Sequence, residues 1–131
     1  MSEPSRPSLA GLKVLVVEDE ALVSMLLEDM LSDLGCEIVG PIMRLAEALQ
    51  AAEDRAQRID IAILDVNLAG ERSFPVAAAL EARGCLFVLS TGYDDGGIDE
   101  RWRARPMLRK PFLPQELEQA LYEALAGEEA A

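Results

Sequence analysis

The 131-residue sequence contains no histidine. That absence removes imidazole acid–base chemistry, the Ser–His–Asp and Cys–His nucleophile systems, and every zinc motif that needs an imidazole ligand. Basic residues are scarce: 12 Lys plus Arg stand against 24 Asp plus Glu, a formal charge of −12. A surface this negative repels phosphate backbones, so nucleic acid is not expected as a partner. Cys36 and Cys85 are the only cysteines. Both sit among apolar residues and read as small buried thiols of a reducing compartment rather than as a disulfide. No apolar run reaches the roughly 18 residues that a membrane span needs. The start, Met1 to Ser8, lacks the apolar core of a signal peptide and reads as a mobile tail. A cytoplasmic protein without membrane contact is therefore expected.

What is present suits one globular domain, since half of the residues are apolar and the length is that of a common single domain. Leu12–Val17 is nearly continuous and β-branched, the pattern of a strand buried on both faces of a parallel sheet. Glu18-Asp19-Glu20 ends it. Leu22, Val23, Leu26, Leu27, Met30, Leu31 and Leu34 then recur at spacings of three and four, an amphipathic helix with Gly35 just past its end. A second strand is expected over Glu37–Gly40 and a second helix from Arg44 to about Arg58. Ile59–Leu64 is a third buried strand stopped by Asp65, followed by a helix over Phe74–Arg83 with Gly84 as its stop. Leu86–Leu89 forms a fourth strand that runs into Ser90-Thr91-Gly92-Tyr93. Pro106–Arg109 is a brief fifth strand, and the last helix, opened by Pro114, ends before Gly127. Strands alternating with helices in this way give an open parallel α/β sheet.

In such sheets the ligand site lies outside the carboxyl ends of the strands. Four polar clusters fall there: Glu18-Asp19, Asp65, Ser90-Thr91 and Lys110. Each alone reads more simply as a helix cap, a turn residue or a surface lysine. Together they are harder to dismiss. Carboxylates crowded at one sheet edge repel by about 4 kcal/mol per pair at ~4 Å and an effective dielectric near 20, so a cation must offset them. Hard carboxylate oxygens without His or Cys suit Mg²⁺, which commonly bridges protein carboxylates to a phosphoryl group. Lys110 adds a fixed positive charge and Thr91 a hydroxyl donor, the parts that stabilise a phosphoryl group in flight. The constellation reads as a phosphoryl-transfer site with a carboxylate nucleophile, Asp65.

Glu18-Asp19, Asp65, Thr91 and Lys110-Pro111-Phe112, in that order on alternating strands and helices, resemble the receiver domain of bacterial two-component response regulators. The resemblance covers about residues 11–127, leaving residues 1–10 and 128–131 as tails. It implies a flavodoxin-like, doubly wound sheet of five parallel strands in the order 2-1-3-4-5. It also implies that Asp65 accepts a phosphoryl group from a phosphohistidine on a histidine kinase or histidine phosphotransfer protein. The metal would be held by Asp19, Asp65 and the backbone carbonyl of Asn67, with Glu18 reaching it through water. Thr91 and Lys110 would hold the phosphoryl oxygens, and Lys110-Pro111 would be a cis bond.

Two features depart from that pattern. Met107 stands where the family usually has an aromatic switch residue, and it is expected to fill a core gap. Residues 94–105, with Gly96-Gly97 and many charges, lack the apolar periodicity of a full fourth helix, so a short or disordered one is expected. Within that segment Trp102, flanked by Arg101, Arg103 and Arg105, reads either as a partner anchor or as a ring laid on a solvated surface. Ser90-Thr91-Gly92-Tyr93 with Pro106–Phe112 is similar to the FATGUY subgroup of alphaproteobacterial receivers, although Leu89 and Ser90 replace that motif's Phe and Ala. The subgroup implies a degenerate fourth helix and donor kinases of the HWE or a related class.

Because the chain stops at Ala131, just after the last helix, a single-domain response regulator acting through protein contacts is the leading expectation. One alternative is a pseudo-receiver that binds its partner whatever the phosphorylation state. Another is a Mg²⁺-dependent aspartyl-phosphate phosphatase, which usually carries a second acid two residues after its nucleophile. Asn67 occupies that place, so no enzyme turning over small substrates is expected.

Overall fold

The apolar run at the first strand needs neighbours on both edges and both faces, and it has them. The computed structural model describes residues 8–92, 98 and 100–130. Strand β1 (Lys13–Val17) pairs in parallel with β2 (Glu37–Ile42) on one side and β3 (Ile61–Asp65) on the other. Beyond β3 lie β6 (Leu86–Thr91) and β7 (Met107–Arg109), so the sheet runs β2-β1-β3-β6-β7. Counting only these five strands, the order is 2-1-3-4-5, as expected of a flavodoxin-like fold. Two further short strands, β4 (Asn67–Leu68) and β5 (Glu71–Arg72), form an antiparallel ribbon that the sequence pattern did not announce.

Successive strand residues point to opposite faces, and each face has its own core. Leu15, Val17, Ala62, Leu64, Phe87 and Leu89 face helices α2 (Leu45–Glu53) and α3 (Phe74–Ala82). Val14, Val16, Ile61, Ile63, Val88 and Leu108 face α1 (Ala21–Asp33) and α4 (Pro114–Ala130). Helices α1 and α3 end alike. Gly35 and Gly84 take positive φ (83° and 73°), and the N–H of the following cysteine returns to the carbonyl of Leu31 or Leu80. These are Schellman endings, and they place Cys36 and Cys85 in the two cores as free thiols.

Several expectations need correction. Strand β2 continues past Gly40 to Ile42 through a register slip opposite Leu15–Val17. Gly40 has φ 101°, and a Cβ there would sit 2.9 Å from the Val16 carbonyl oxygen. β2 is an edge strand, where Pro41 without an N–H is tolerated. Helix α2 stops at Glu53, not near Arg58, because the Arg83 guanidinium takes the carbonyls of Ala52, Asp54 and Gln57. Helix α4 passes through Gly127 to Ala130, so residues 128–130 belong to it. On α1 the inward stripe is Ser24, Leu27 and Leu31, whereas Leu22 (70% exposed), Met25 and Leu26 face solvent.

In place of a fourth helix between β6 and β7 the described residues hold one 3₁₀ turn, Glu100–Trp102. The rest of the doubtful segment, residues 94–97 and 99, lies outside the described residues. Trp102 is neither a surface ring nor an exposed anchor, being only 2% exposed. It stacks on Phe74 at 6.2 Å between centroids and meets Phe87 edge-on at 5.9 Å. Its flanking arginines close over it: Arg101 and Arg105 each bond one oxygen of Glu81 at 2.8 Å, and Arg101 lies 4.2 Å over the indole. Met107 does not fill a core gap. Placed on the short edge strand β7, it is 38% exposed.

Candidate phosphoacceptor site

Four of the five strands of the central sheet, β1, β3, β6 and β7, deliver parts of the site at their carboxyl ends. β1 ends at Val17 and is followed by Glu18, Asp19 and Glu20; β3 ends on Asp65 itself; Lys110 follows β7. The Lys110 ammonium is the hub. Its Nζ lies 3.1 Å from Asp65 Oδ2, 3.1 Å from Glu18 Oε1 and 3.2 Å from Glu20 Oε1. Asp65 and Glu18 are buried, at 2% and 1% exposure, whereas Asp19 is half-buried and Glu20 exposed. Carboxylate oxygens of Glu18, Asp19, Glu20 and Asp65 all lie within 4.8 Å of one another.

Backbone donors hold these acids in place. Asp65 Oδ1 accepts from the N–H of Asn67 at 3.2 Å, and Glu18 Oε2 accepts from Glu20 at 3.1 Å. Asp19 Oδ2 accepts from Ala69 at 3.0 Å, which ties the cluster to the β4–β5 ribbon. Ala69 sits in that ribbon's turn at φ 50°, and the Asn67 side chain closes the turn by accepting from Gly70 at 2.8 Å. Asn67 is thus placed beside Asp65 by its main chain, while its amide serves the turn. Thr91 is half-buried at the end of β6, and its carbonyl accepts the Lys110 N–H at 2.8 Å. Its hydroxyl is not bonded to Asp65 or Lys110. The Lys110–Pro111 peptide is cis, as the resemblance implies.

The electrostatics are those of a site short of positive charge. Burial pushes the Asp65 carboxyl up to about 8, and the hydrogen bond and negative charge of Glu18 push the same way; Lys110 pulls against them. Burial works against the Lys110 ammonium, but the Asp65 and Glu18 carboxylates outweigh it and raise its affinity for the proton. One lysine faces three carboxylates. Glu18 Oε1, although near Nζ, has no well-directed hydrogen bond and is buried. An orphaned buried carboxylate oxygen in a cluster of hard oxygens fits a small divalent cation. The residues that could hold it are Glu18, Asp19 and Asp65, with the Asn67 main chain tied to Asp65 through its N–H.

Sequence reasoning missed two residues here. In the sequence Glu20 marks only the end of the first strand, yet it supplies the third carboxylate on Lys110. Ser73, fully buried at the start of α3, donates its hydroxyl to the backbone carbonyl of Asp65. Its only signal was a serine in front of a helix, which reads as an ordinary cap.

Comparison with known proteins agrees with this architecture. The family model described as "Response regulator receiver domain" matches residues 14–122. The transcriptional regulatory protein PdtaR of Mycobacterium tuberculosis is 34% identical over 104 residues, 76% of this chain and 50% of PdtaR. The chain therefore spans about half the length of the curated relatives it matches. The solution structure of SdrG from Sphingomonas melonis Fr1 is 47% identical, with TM-score 0.80 over 88% of this chain and 97% of that one. SdrG in its BeF3-activated conformation is 48% identical with TM-score 0.72, over the same shares. The receiver domain of the sensor histidine kinase PA1611 from Pseudomonas aeruginosa PAO1, solved with magnesium in its active-site cleft, is 25% identical. Its TM-score is 0.74 over 89% of this chain and 99% of that one. A parallel sheet of this order, acids after β1 and β3, a lysine after β7, and a family match across most of the length lead to one conclusion: the chain belongs to the response regulator receiver domain family.

Proposed function

We propose that Asp65 is the phosphoacceptor of a two-component phosphorelay and that its phosphoryl donor is a phosphohistidine on a histidine kinase or histidine phosphotransfer protein. The observation that carries this reading is the buried Asp65 carboxylate at the end of β3, with Lys110 Nζ 3.1 Å from one oxygen and the Asn67 N–H on the other. An Asp65 oxygen attacks phosphorus, the N–P bond of the donor breaks, and its electron pair returns to the imidazole. Lys110, already against Asp65, meets the charge on the phosphoryl oxygens, and the Thr91 hydroxyl at the adjacent strand end, bonded to neither Asp65 nor Lys110, would turn toward them. Magnesium, when bound, would neutralise the crowded carboxylates and the incoming phosphoryl oxygens; Glu18, Asp19, Asp65 and the Asn67 carbonyl are the residues to hold it.

The donor's surface is suggested by the chain's own. Helix α1 begins directly after the acidic cluster and shows Leu22, Met25 and Leu26, at spacings of three and one, to solvent. A donor helix packing on that stripe would bring its phosphohistidine to Asp65. The similarity to the FATGUY subgroup favours a kinase of the HWE or a related class. Asn67, with its amide engaged in a turn, supplies no general acid two residues after the acceptor. Turnover of small phosphate esters is therefore not expected, and signalling proceeds through changed protein contacts.

The test is incubation with Mg²⁺ and acetyl phosphate, followed by intact mass. A one-phosphoryl gain that is absent in Asp65→Asn supports the reading. No gain in the wild type points to a pseudo-receiver, and steady acetyl phosphate hydrolysis without a lasting adduct points to a phosphatase.

A further inference from the structure

Ser73 stands at the N-cap of α3, where a serine ordinarily turns its hydroxyl onto the N–H groups of the first helical turn. It makes no such bond. Its Oγ–H is donated instead to the backbone carbonyl of Asp65, eight residues earlier. Its own N–H is donated to the carbonyl of Val66 at 2.9 Å. The remaining two polar groups of this stretch are also held: the Val66 N–H donates to Ser90 O at 3.0 Å, and the Asn67 N–H donates to Asp65 Oδ1 at 3.2 Å. Both peptide planes after Asp65 are thereby fixed at their carbonyl end by Ser73. The second plane carries the N–H that aims the Asp65 carboxylate. Ser73 is fully buried, so water cannot replace its hydroxyl.

We infer that Ser73 is a positioning residue for Asp65: by holding the two peptide planes that follow the acceptor, it sets the direction of the carboxylate oxygen that attacks phosphorus. This rests on the phosphoacceptor reading of Asp65. Without the hydroxyl, the Asp65 carbonyl loses its side-chain partner and the first plane keeps only its Val66 N–H bond to Ser90, so it can tilt about that bond; the second plane, still held by the Ser73 N–H, shifts with it, and the Asn67 N–H moves relative to Oδ1. A displacement of about 1 Å at a reacting group costs on the order of a hundredfold in rate.

The experiment compares wild type, Ser73→Ala and Ser73→Thr. Three readouts are taken: phosphorylation rate with acetyl phosphate at saturating Mg²⁺, the Mg²⁺ midpoint of that rate, and amide exchange of Val66 and Asn67 in the unphosphorylated protein. Ser73→Ala is expected to lose about tenfold to a hundredfold in rate. Its Mg²⁺ midpoint should rise, because Asp65 and the Asn67 carbonyl would also hold the metal; the exchange of β1 amides should be unchanged, while the Val66 and Asn67 amides exchange faster. Ser73→Thr, which keeps the hydroxyl, should recover most of the rate. Wild-type rate and exchange in Ser73→Ala overturn the inference, and so does an equal loss in both variants, which would trace to packing. A wild type that takes up no phosphoryl group sinks the functional reading instead. The exchange of Asn67 then decides alone whether Ser73 holds the acceptor loop, unchanged exchange overturning it.

Discussion

The burial of Trp102 carries a large and measurable consequence. This is the chain's only tryptophan, 2% exposed, stacked on Phe74 and edge-on to Phe87. Truncating a buried ring of this size to Ala removes its transfer energy and leaves a cavity, together about 3–5 kcal/mol. Two aromatic pairs contribute roughly 0.5–1.5 kcal/mol each within that loss. The Arg101 and Arg105 pairs with Glu81 are partly exposed, with side-chain exposures of 58%, 27% and 38%, and so add at most about 1 kcal/mol apiece. Trp102→Ala is thus expected to destabilise by about 3–5 kcal/mol, equivalent to a fall of roughly 10–15 °C in Tm for a domain of this length. Trp102→Phe, which keeps the stack on Phe74, should cost about 1–2 kcal/mol, and Glu81→Gln less than about 1 kcal/mol. Urea denaturation followed by far-UV circular dichroism reads all three, with the midpoint moving and the slope unchanged. Wild-type Trp102 fluorescence should be blue-shifted and poorly quenched by acrylamide. A Trp102→Ala loss below about 1 kcal/mol, or ready quenching in the wild type, would refute the argument, because a ring that stabilises nothing is not a core ring.

Three further outcomes follow from the site. Folding raises the Asp65 pKa from 3.8 to about 8, so the folded chain binds a proton that the unfolded chain releases between those limits. Without metal, stability should therefore rise as pH falls from 8.5 to 6, and Asp65→Asn should abolish that rise and exceed the wild type in Tm at pH 8.5; thermal melts checking this would contradict it if wild-type stability grew with pH. Lys110→Met leaves two buried carboxylates without a cation and should cost about 3–5 kcal/mol at pH 8, less at pH 6, by urea denaturation. Leu26→Glu on exposed α1 should leave stability and acetyl phosphate uptake unchanged while slowing phosphotransfer from a cognate kinase by tenfold or more; equal rates from both donors would place the donor elsewhere.

The residues at the strand ends were legible because topology forces them together. Once Leu12–Val17 and Ile59–Leu64 read as strands buried on both faces, parallel pairing sends Glu18, Asp19 and Asp65 to one edge, and Lys110 arrives there by the same rule. What the sequence concealed is whatever depends on partners far along the chain. Trp102 sits among three arginines and looks solvated. Its burial comes from Phe74, Phe87 and Glu81, all more than a dozen residues away, and Glu81 turns two of those arginines from signs of exposure into a clamp. Leu22 and Leu26 satisfied a helical period yet face outward, because period alone cannot say which of two adjacent apolar stripes meets the sheet.

Ser73 shows the same limit at the site itself. A serine before a helix announces a cap, and only the folded structure shows that its hydroxyl is diverted to the carbonyl of Asp65. The next residue, Phe74, is the platform on which Trp102 stacks. The start of α3 is therefore held from the inside by the Asp65 main chain and from the outside by the indole. A shift of Asp65 on phosphorylation would have a short route of contacts, a hydrogen bond and a ring stack, to the 3₁₀ turn that replaces the fourth helix. If that route operates, Trp102 emission should change on beryllofluoride binding in the wild type and change less in Ser73→Ala at equal occupancy. An identical change in both would mean that the turn answers to the strand ends alone.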